Sequence, residues 1–259
     1  MSSKYSNYII ALDLDETLLN SKGEVTQKSI DVLNKCKNDG FVIAISSTRG
    51  FGSCKKIAGL ISADFVCCQA GNMIVDKNQN IIYKNPFKAE DVALIVDTFS
   101  KYTDLIFVDS DFNLYGSVLD SFTTKWGTVY CDLNKLKDLN AYKICIGYEE
   151  SYKQQIIDFC NNKGFICRKM LDANYMLITP SNSNKFYALE QLINILESNK
   201  SKLVVFGDDV SDVLSIQNAE FGVAMKNSQP EVLKQAKFVT LSNDEDGVAV
   251  FLENQFYKD

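Results

Sequence analysis

Two clusters of carboxylates stand directly after apolar runs in this sequence. Asp13 and Asp15 follow Tyr8–Leu12 (YIIAL), and Asp208, Asp209 and Asp212 follow the LVVF of residues 203–206. Two further candidates lie between them. Ser46-Ser47-Thr48-Arg49 follows the run FVIAI at 41–45, and Lys185 begins a stretch whose apolar positions Leu189, Leu192, Ile193 and Leu196 have helical spacing. Histidine is absent from all 259 residues. That excludes Ser-His-Asp and Cys-His catalysis, histidine-ligated zinc and histidine general bases. Carboxylates, lysine, hydroxyls or a hard metal ion must carry any chemistry.

Each group has a functional and a bland reading. In extended chain Asp13 and Asp15, at i and i+2, point to one side, and carboxylates so close resist joint ionisation without a cation. They could equally open a polar loop, with Asp15 or Thr17 capping a turn. Hydroxyls and backbone amides at 46–49 could cradle a phosphate or simply cap a helix. Lys185 in a first helical turn opposes the helix dipole by about 0.3–1 kcal/mol, a conflict that a nearby anion would resolve. Taken alone, Lys185 reads as an exposed lysine, and Asp209 as a solvated cap. Taken together, the four groups fall at the carboxyl ends of strands, where open α/β sheets bind ligands. Carboxylates converging from two strands, with a hydroxyl and a lysine, suit Mg²⁺ shared with a phosphate.

The elements that must position these groups alternate. Strands are expected at 8–12, 41–45 and 65–68. A helix capped by Thr26, with Ile30, Leu33 and Cys36 on its apolar side, ends near Gly40, and a second covers 53–61. Strands alternating with helices imply right-handed parallel crossovers. From about residue 84 the texture changes: helices at 88–102 and 151–163 accompany strands at 105–108, 115–118, 144–147, 165–170 and 176–179, several of them consecutive. After Pro180 the rhythm returns, with helices at 185–198, near 210–217, at 230–236 and from Gly247, and strands at 203–206, 221–225 and 238–241. Residues 1–83 and 181–259 are thus expected to build one sheet domain, with 84–180 inserted as a second.

Composition agrees with a globular chain: 46% hydrophobic and 23% charged residues, with a formal net charge of −6. Interspersed acidic charge argues against nucleic acid or an anionic membrane as partner. Eight cysteines contain no C-x-x-C pair, and most lie in apolar runs where a free thiol packs as a small hydrophobe. No signal-peptide core and no 18-residue apolar stretch is evident. A protein of the reducing cytoplasm is expected.

Asp13–Thr17 (DLDET) matches the D-x-D-x-T motif of the haloacid dehalogenase superfamily of phosphohydrolases. Ser47, Lys185 and Asp208…Asp212 resemble its second to fourth motifs in the same order. The stretch 207–225 (GDDVSDVLSIQNAEFGVAM), Asn227 and 242–248 (SNDEDGV) resemble the Cof-type branch. The resemblance implies a Rossmann-like parallel-sheet α/β core with an inserted α+β cap of type IIB at 84–180. It also implies a Mg²⁺-dependent phosphatase of small phosphomonoesters (sugar phosphates, nucleotides or phosphorylated cofactors) that works through an aspartyl-phosphate. Asp13 would be the nucleophile and Asp15 the acid and base. Asp13, Asp208 and the backbone carbonyl of Asp15 would hold Mg²⁺. Ser47, Thr48 and Lys185 would bind the phosphoryl group, with Thr17, Ser211 and Asp212 in support.

Three positions depart from the family pattern. Ser211 stands where asparagine is common, Thr48 where glycine is common, and Ala70-Gly71-Asn72 where Asn-Gly is usual; altered substrate contacts are expected. A sugar phosphomutase shares the chemistry and is separated only by its product. A signalling receiver is about half as long and carries its aspartate after a middle strand, where this chain has Gln69-Ala70-Gly71. A non-catalytic binding protein is disfavoured while Asp13 and Asp15 both stand. The leaving group would be chosen by cap residues, with 109–115 and 172–175 as candidates.

Overall fold

The computed structural model describes residues 5–119, 124, 127–170, 174–196 and 202–258. They form two compact units, one of the described residues within 1–48, 54–83 and 184–259, the other of those within 49–53 and 84–183.

The chain opens with β1 (Tyr8–Leu12), α1 (Gln27–Asn38), β2 (Val42–Ser46), α2 (Phe51–Leu60), β3 (Phe65–Cys68), β4 (Met73–Asp76) and β5 (Ile81–Lys84). Next come α3 (Ala89–Phe99), β6 (Ile106–Ser110), β7 (Asn113–Gly116), β8 (Val129–Tyr130), α4 (Leu133–Leu136), β9 (Ala141–Gly147), α5 (Glu150–Lys163), β10 (Ile166–Lys169) and β11 (Tyr175–Thr179). It closes with α6 (Lys185–Ile195), β12 (Lys202–Gly207), α7 (Val213–Asn218), β13 (Phe221–Ala224), α8 (Pro230–Gln235), β14 (Phe238–Val239) and α9 (Gly247–Phe256).

The first unit is built on a sheet of order β14-β13-β12-β1-β2-β3-β4-β5. Strands β1, β2, β3, β12, β13 and β14 pair in parallel, and β4 adds antiparallel to β3. Central strands of such a sheet are covered on both faces, which is why β1 is continuously apolar: Ile10, Ala11 and Leu12 have no exposure. Strands β4 and β5 were not anticipated. Helix α1 starts where Thr26 accepts from the Ser29 N–H at 3.2 Å, but its buried side is Ser29, Val32, Leu33 and Cys36, with Ile30 at the margin. The side facing the sheet is thus rotated slightly from the expected one.

The second unit holds a sheet of order β10-β11-β9-β6-β7-β8. Its pairings are antiparallel except β7 with β8. Val92, Ile95 and Val96 of α3 and Ile156 and Cys160 of α5 pack on Ile144 and Ile146 of β9 in a core of its own. Gly164, left-handed at φ 72°, ends α5 and turns the chain into β10. Both units are therefore α/β in composition, with the parallel sheet confined to the first.

Candidate active site

Asp13 is the first residue beyond β1, and its N–H donates to the Phe206 carbonyl at 3.1 Å, carrying the β1–β12 ladder one step further. The register pairs Leu12 with Phe206, so Asp13 and Asp208 leave adjacent strands at the same end of the sheet. The chain then turns sharply through residues 14–18, where Glu16 takes φ 54° and the Leu19 N–H reaches back to the Leu14 carbonyl at 2.8 Å. That turn buries Thr17, whose hydroxyl donates to Asp208 Oδ1 at 2.8 Å. It leaves Asp15 exposed. Asp13 and Asp15 therefore differ in burial although both keep extended backbone angles, because both lie beyond the end of β1 and Asp15 sits on the turn.

Asp212 is set by a local device. The Ser211 N–H donates to Asp209 Oδ1 at 2.8 Å, and the Asp209 N–H donates to Asp212 Oδ2 at 3.3 Å, a reciprocal cap on the turn Val210–Asp212. Asp209, half-buried, also accepts from Gln229 Nε2 at 2.8 Å, so it is a structural cap. Gly207 makes room for Asp212: a Cβ there would stand 2.4 Å from the Asp212 Cγ.

Lys185 joins the two aspartates. Its ammonium donates to Asp13 Oδ1 at 2.7 Å and to Asp212 Oδ1 at 2.8 Å, and the residue is only 3% exposed. The bland expectation of an exposed lysine is overturned. The dipole conflict of a cation at N1, about 0.3–1 kcal/mol, is small beside the burial of Leu189 and Leu192 on the same helix. Those two are fully buried, worth about 1.5–3 kcal/mol each. The aspartates supply the anion that the helix start requires.

The electrostatics follow from burial. Desolvation pushes the Asp13 carboxyl up to about 7, against the pull of Lys185. Asp208 is likewise pushed up to about 7, first by desolvation and then by the Asp13 charge. Burial also raises Asp212. For Lys185, desolvation works against the charge, but Asp13 and Asp212 outweigh it and hold the pKa above the ordinary lysine value. Oxygens of Asp13, Asp208 and Asp212 lie within 4.8 Å of one another.

Ser47 is buried one residue past β2, its N–H donating to the Cys67 carbonyl at 2.9 Å. The β1–β2 register pairs Leu12 with Ile45, so Ser47 stands at the same sheet end as Asp13. Thr48 and Ser211 are half-buried. Asn227 and, within the stretch 242–248, Asn243 serve the turn that follows β1. Asn227 Nδ2 donates to the Glu16 carbonyl at 2.7 Å, and Asn243 Nδ2 to the Leu19 carbonyl at 2.9 Å, so both clamp the turn that carries Asp15 and Thr17.

The second unit contains a cavity of about 320 Å³ lined by Phe107, Asp109, Phe112, Lys143 and Tyr175, among others. Within it Lys143 Nζ and Asp109 Oδ2 form an ion pair at 2.9 Å. Asp109, Phe112 and Tyr175 belong to the candidate stretches 109–115 and 172–175; Lys143 on β9 was missed, while residues 172 and 173 lie outside the described residues. Among the described residues, no helix is long and apolar enough to cross a membrane.

Known proteins resemble this chain over nearly its whole length. The family model of haloacid dehalogenase-like hydrolases matches residues 10–252. YxeH of Bacillus subtilis is 28% identical over 258 residues, covering 93% of this chain and 95% of that protein. The 5-amino-6-(5-phospho-D-ribitylamino)uracil phosphatase YcsE of the same organism is 24% identical over 244 residues, covering 93% and 92%. A haloacid dehalogenase-like hydrolase from Bacteroides thetaiotaomicron has the same fold, with a TM-score of 0.86 at 23% identity over 96% of this chain and 99% of that one.

Proposed function

The chain belongs to the haloacid dehalogenase-like hydrolases, and on that premise we propose that it is a Mg²⁺-dependent phosphatase of small phosphorylated metabolites acting in the cytoplasm. The observation that carries this reading is the buried Lys185 bridging Asp13 and Asp212 beside Asp208, at the carboxyl end of a parallel sheet. YcsE, by its name, hydrolyses one such phosphomonoester.

The donor set fits a hard divalent cation. Three carboxylates face one ammonium, and burial holds Asp13 and Asp208 near 7, the signature of negative charge awaiting a counter-ion. Asp13, Asp208 and the main-chain carbonyl of Asp15 would hold Mg²⁺. Both Asp212 oxygens are engaged, by Lys185 and by the Asp209 N–H, which leaves it the task of orienting the lysine. When bound, the ion offsets the repulsion between an anionic carboxylate and an anionic phosphate.

The residues then divide the work. One Asp13 oxygen bonds to phosphorus as the ester P–O bond breaks, and Asp15 gives its proton to the departing oxygen. Asp15, exposed on its turn, next takes a proton from water as that water attacks phosphorus. The Asp13–phosphorus bond breaks, orthophosphate leaves and the carboxylate is restored. Lys185, Ser47 and Thr48 hold the phosphoryl oxygens through both steps, while Thr17 and the Ser211 turn keep Asp208 and Asp212 in place. Residues 84–180 serve as a cap that selects the leaving group, and the ion-paired cavity around Lys143 supports that assignment.

The test is phosphate release from a panel of sugar phosphates, nucleotides and phosphorylated cofactors with Mg²⁺. Asp13→Asn, folded by circular dichroism, is expected to release none. Turnover near wild type in that variant would refute the nucleophile assignment.

A further inference from the structure

Beyond the end of β3, Gln69, Ala70 and Gly71 follow one another in the left-handed region, at φ 56°, 57° and 92°. Two of these are not glycine, and a side chain held there persists only where its surroundings impose it. The imposing contacts are visible. Asn72 is fully buried, and both its N–H (3.2 Å) and its side-chain Nδ2 (2.8 Å) donate to the Gln69 carbonyl, clamping the turn.

The turn presses Gly71 onto the start of α6. A Cβ on Gly71 would lie 2.0 Å from the Asn184 carbonyl oxygen, 2.6 Å from its carbon and 3.2 Å from the Lys185 nitrogen. These are backbone atoms at a helix start, so they do not move aside as a flexible side chain would. Asn184 is also the N-cap, its Oδ1 accepting from the Tyr187 N–H at 2.6 Å. Local preference does not favour a helix opening on lysine, because a cation there opposes the dipole. Asn184 thus supplies the local start signal of α6, and the backbone approach of Gly71 fixes where that start lies against the turn 69–72.

We propose that Gly71 is a positioning residue for Lys185: its bare Cα, in the clamped turn 69–72, lets the capped start of α6 pack directly on that turn and so holds the ammonium in reach of Asp13 and Asp212 together. This rests on Lys185 belonging to the reacting site proposed above. Glycine is required twice over, by the positive φ and by the close approach.

The test is a double-mutant cycle of Gly71→Ala with Lys185→Met, read on turnover of a generic phosphomonoester such as p-nitrophenyl phosphate and on inhibition by orthophosphate. A catalytic group displaced by an ångström costs about a hundredfold. Gly71→Ala is expected to lower kcat by ten- to a hundredfold and to weaken orthophosphate inhibition, yet to change either by less than twofold once Lys185 is methionine. Equal losses in both backgrounds overturn the proposal and leave a merely structural glycine. Wild-type turnover in Lys185→Met alone refutes the reading of the site instead. If Gly71→Ala does not fold, Asn72→Ala, which loosens the clamp without a clash, replaces it in the same cycle; it is expected to lose three- to tenfold only where Lys185 is present, and no loss overturns the proposal. A crystal structure of whichever variant folds is expected to show the Lys185 ammonium out of hydrogen-bond reach of Asp13 or Asp212, and an unmoved ammonium equally overturns it.

Discussion

Replacing Lys185 with methionine removes the ammonium that Asp13 and Asp212 share while keeping the volume of the side chain. With Asp13, Asp208 and Asp212 ionised, the cluster carries three negative charges and one positive, so the surplus rises from two to three. Burial already holds Asp13 at about 7 instead of 3.8 with the lysine in place, which corresponds to about 4 kcal/mol against its charged form. Removing one partner of a buried pair costs about 3–5 kcal/mol. The pH dependence has a definite sign. Between about pH 4 and 7 the native protein keeps a proton that the unfolded chain has released, so stability falls as pH rises through that window. The substitution raises the carboxyl pKa values further and extends the fall to higher pH. Urea unfolding followed by far-ultraviolet circular dichroism, with a chelator present, is expected to show a loss of about 3–5 kcal/mol at pH 7.5 but under about 2 kcal/mol at pH 5. An equal loss at both pH values, or less than about 1 kcal/mol at pH 7.5, would mean that the uncompensated carboxylates do not govern this cluster.

The same reasoning predicts that Asp13→Asn, inactive, is more stable than wild type without metal at pH 7.5, by about 1–2 kcal/mol, since an amide replaces a carboxylate that burial opposes; a less stable variant contradicts it. Activity is expected with Mg²⁺ or Mn²⁺ and to be poor with Ca²⁺, whose longer bonds and larger ligand number misplace the nucleophile; full turnover in excess EDTA removes the metal from the mechanism. Burial pushes the Cys67 and Cys145 thiols up to about 12, so iodoacetamide at pH 8 should leave both unmodified in the native protein and label them in urea, as mass spectrometry of peptides would report. Exchanging residues 84–180 for those of a related phosphatase should reorder the substrate panel while leaving the dependence on Asp13 intact, and a chimera with unchanged ranking points to Ser47, Thr48 and Ser211 for specificity.

Much of the site was legible along the chain because its parts are local. The apolar run YIIAL suits a strand covered on both faces, and a carboxylate directly after such a strand stands at a sheet end. Residue type supplied as much again, since a chain without histidine leaves any chemistry to carboxylates, lysine, hydroxyls or a hard metal ion. The resemblance to a known family then pointed to Asp13, Asp208 and Lys185. What stayed hidden depends on contacts between distant segments. Lys185 looked exposed because helical spacing describes one helix, whereas its burial comes from Asp13, 172 residues away along the chain. Asp13 and Asp15 looked alike because period-two alternation assumes a continuing strand, whereas β1 ends at Leu12 and the turn held by Asn227 and Asn243 buries one carboxylate and exposes the other. The packing of Gly71 was hidden too, since nothing near it in sequence reveals that the Asn184 carbonyl occupies the place of its absent Cβ. Strand order and residue type are properties of the chain itself; which oxygen faces which ammonium is decided only when segments more than a hundred residues apart pack against each other and exclude water.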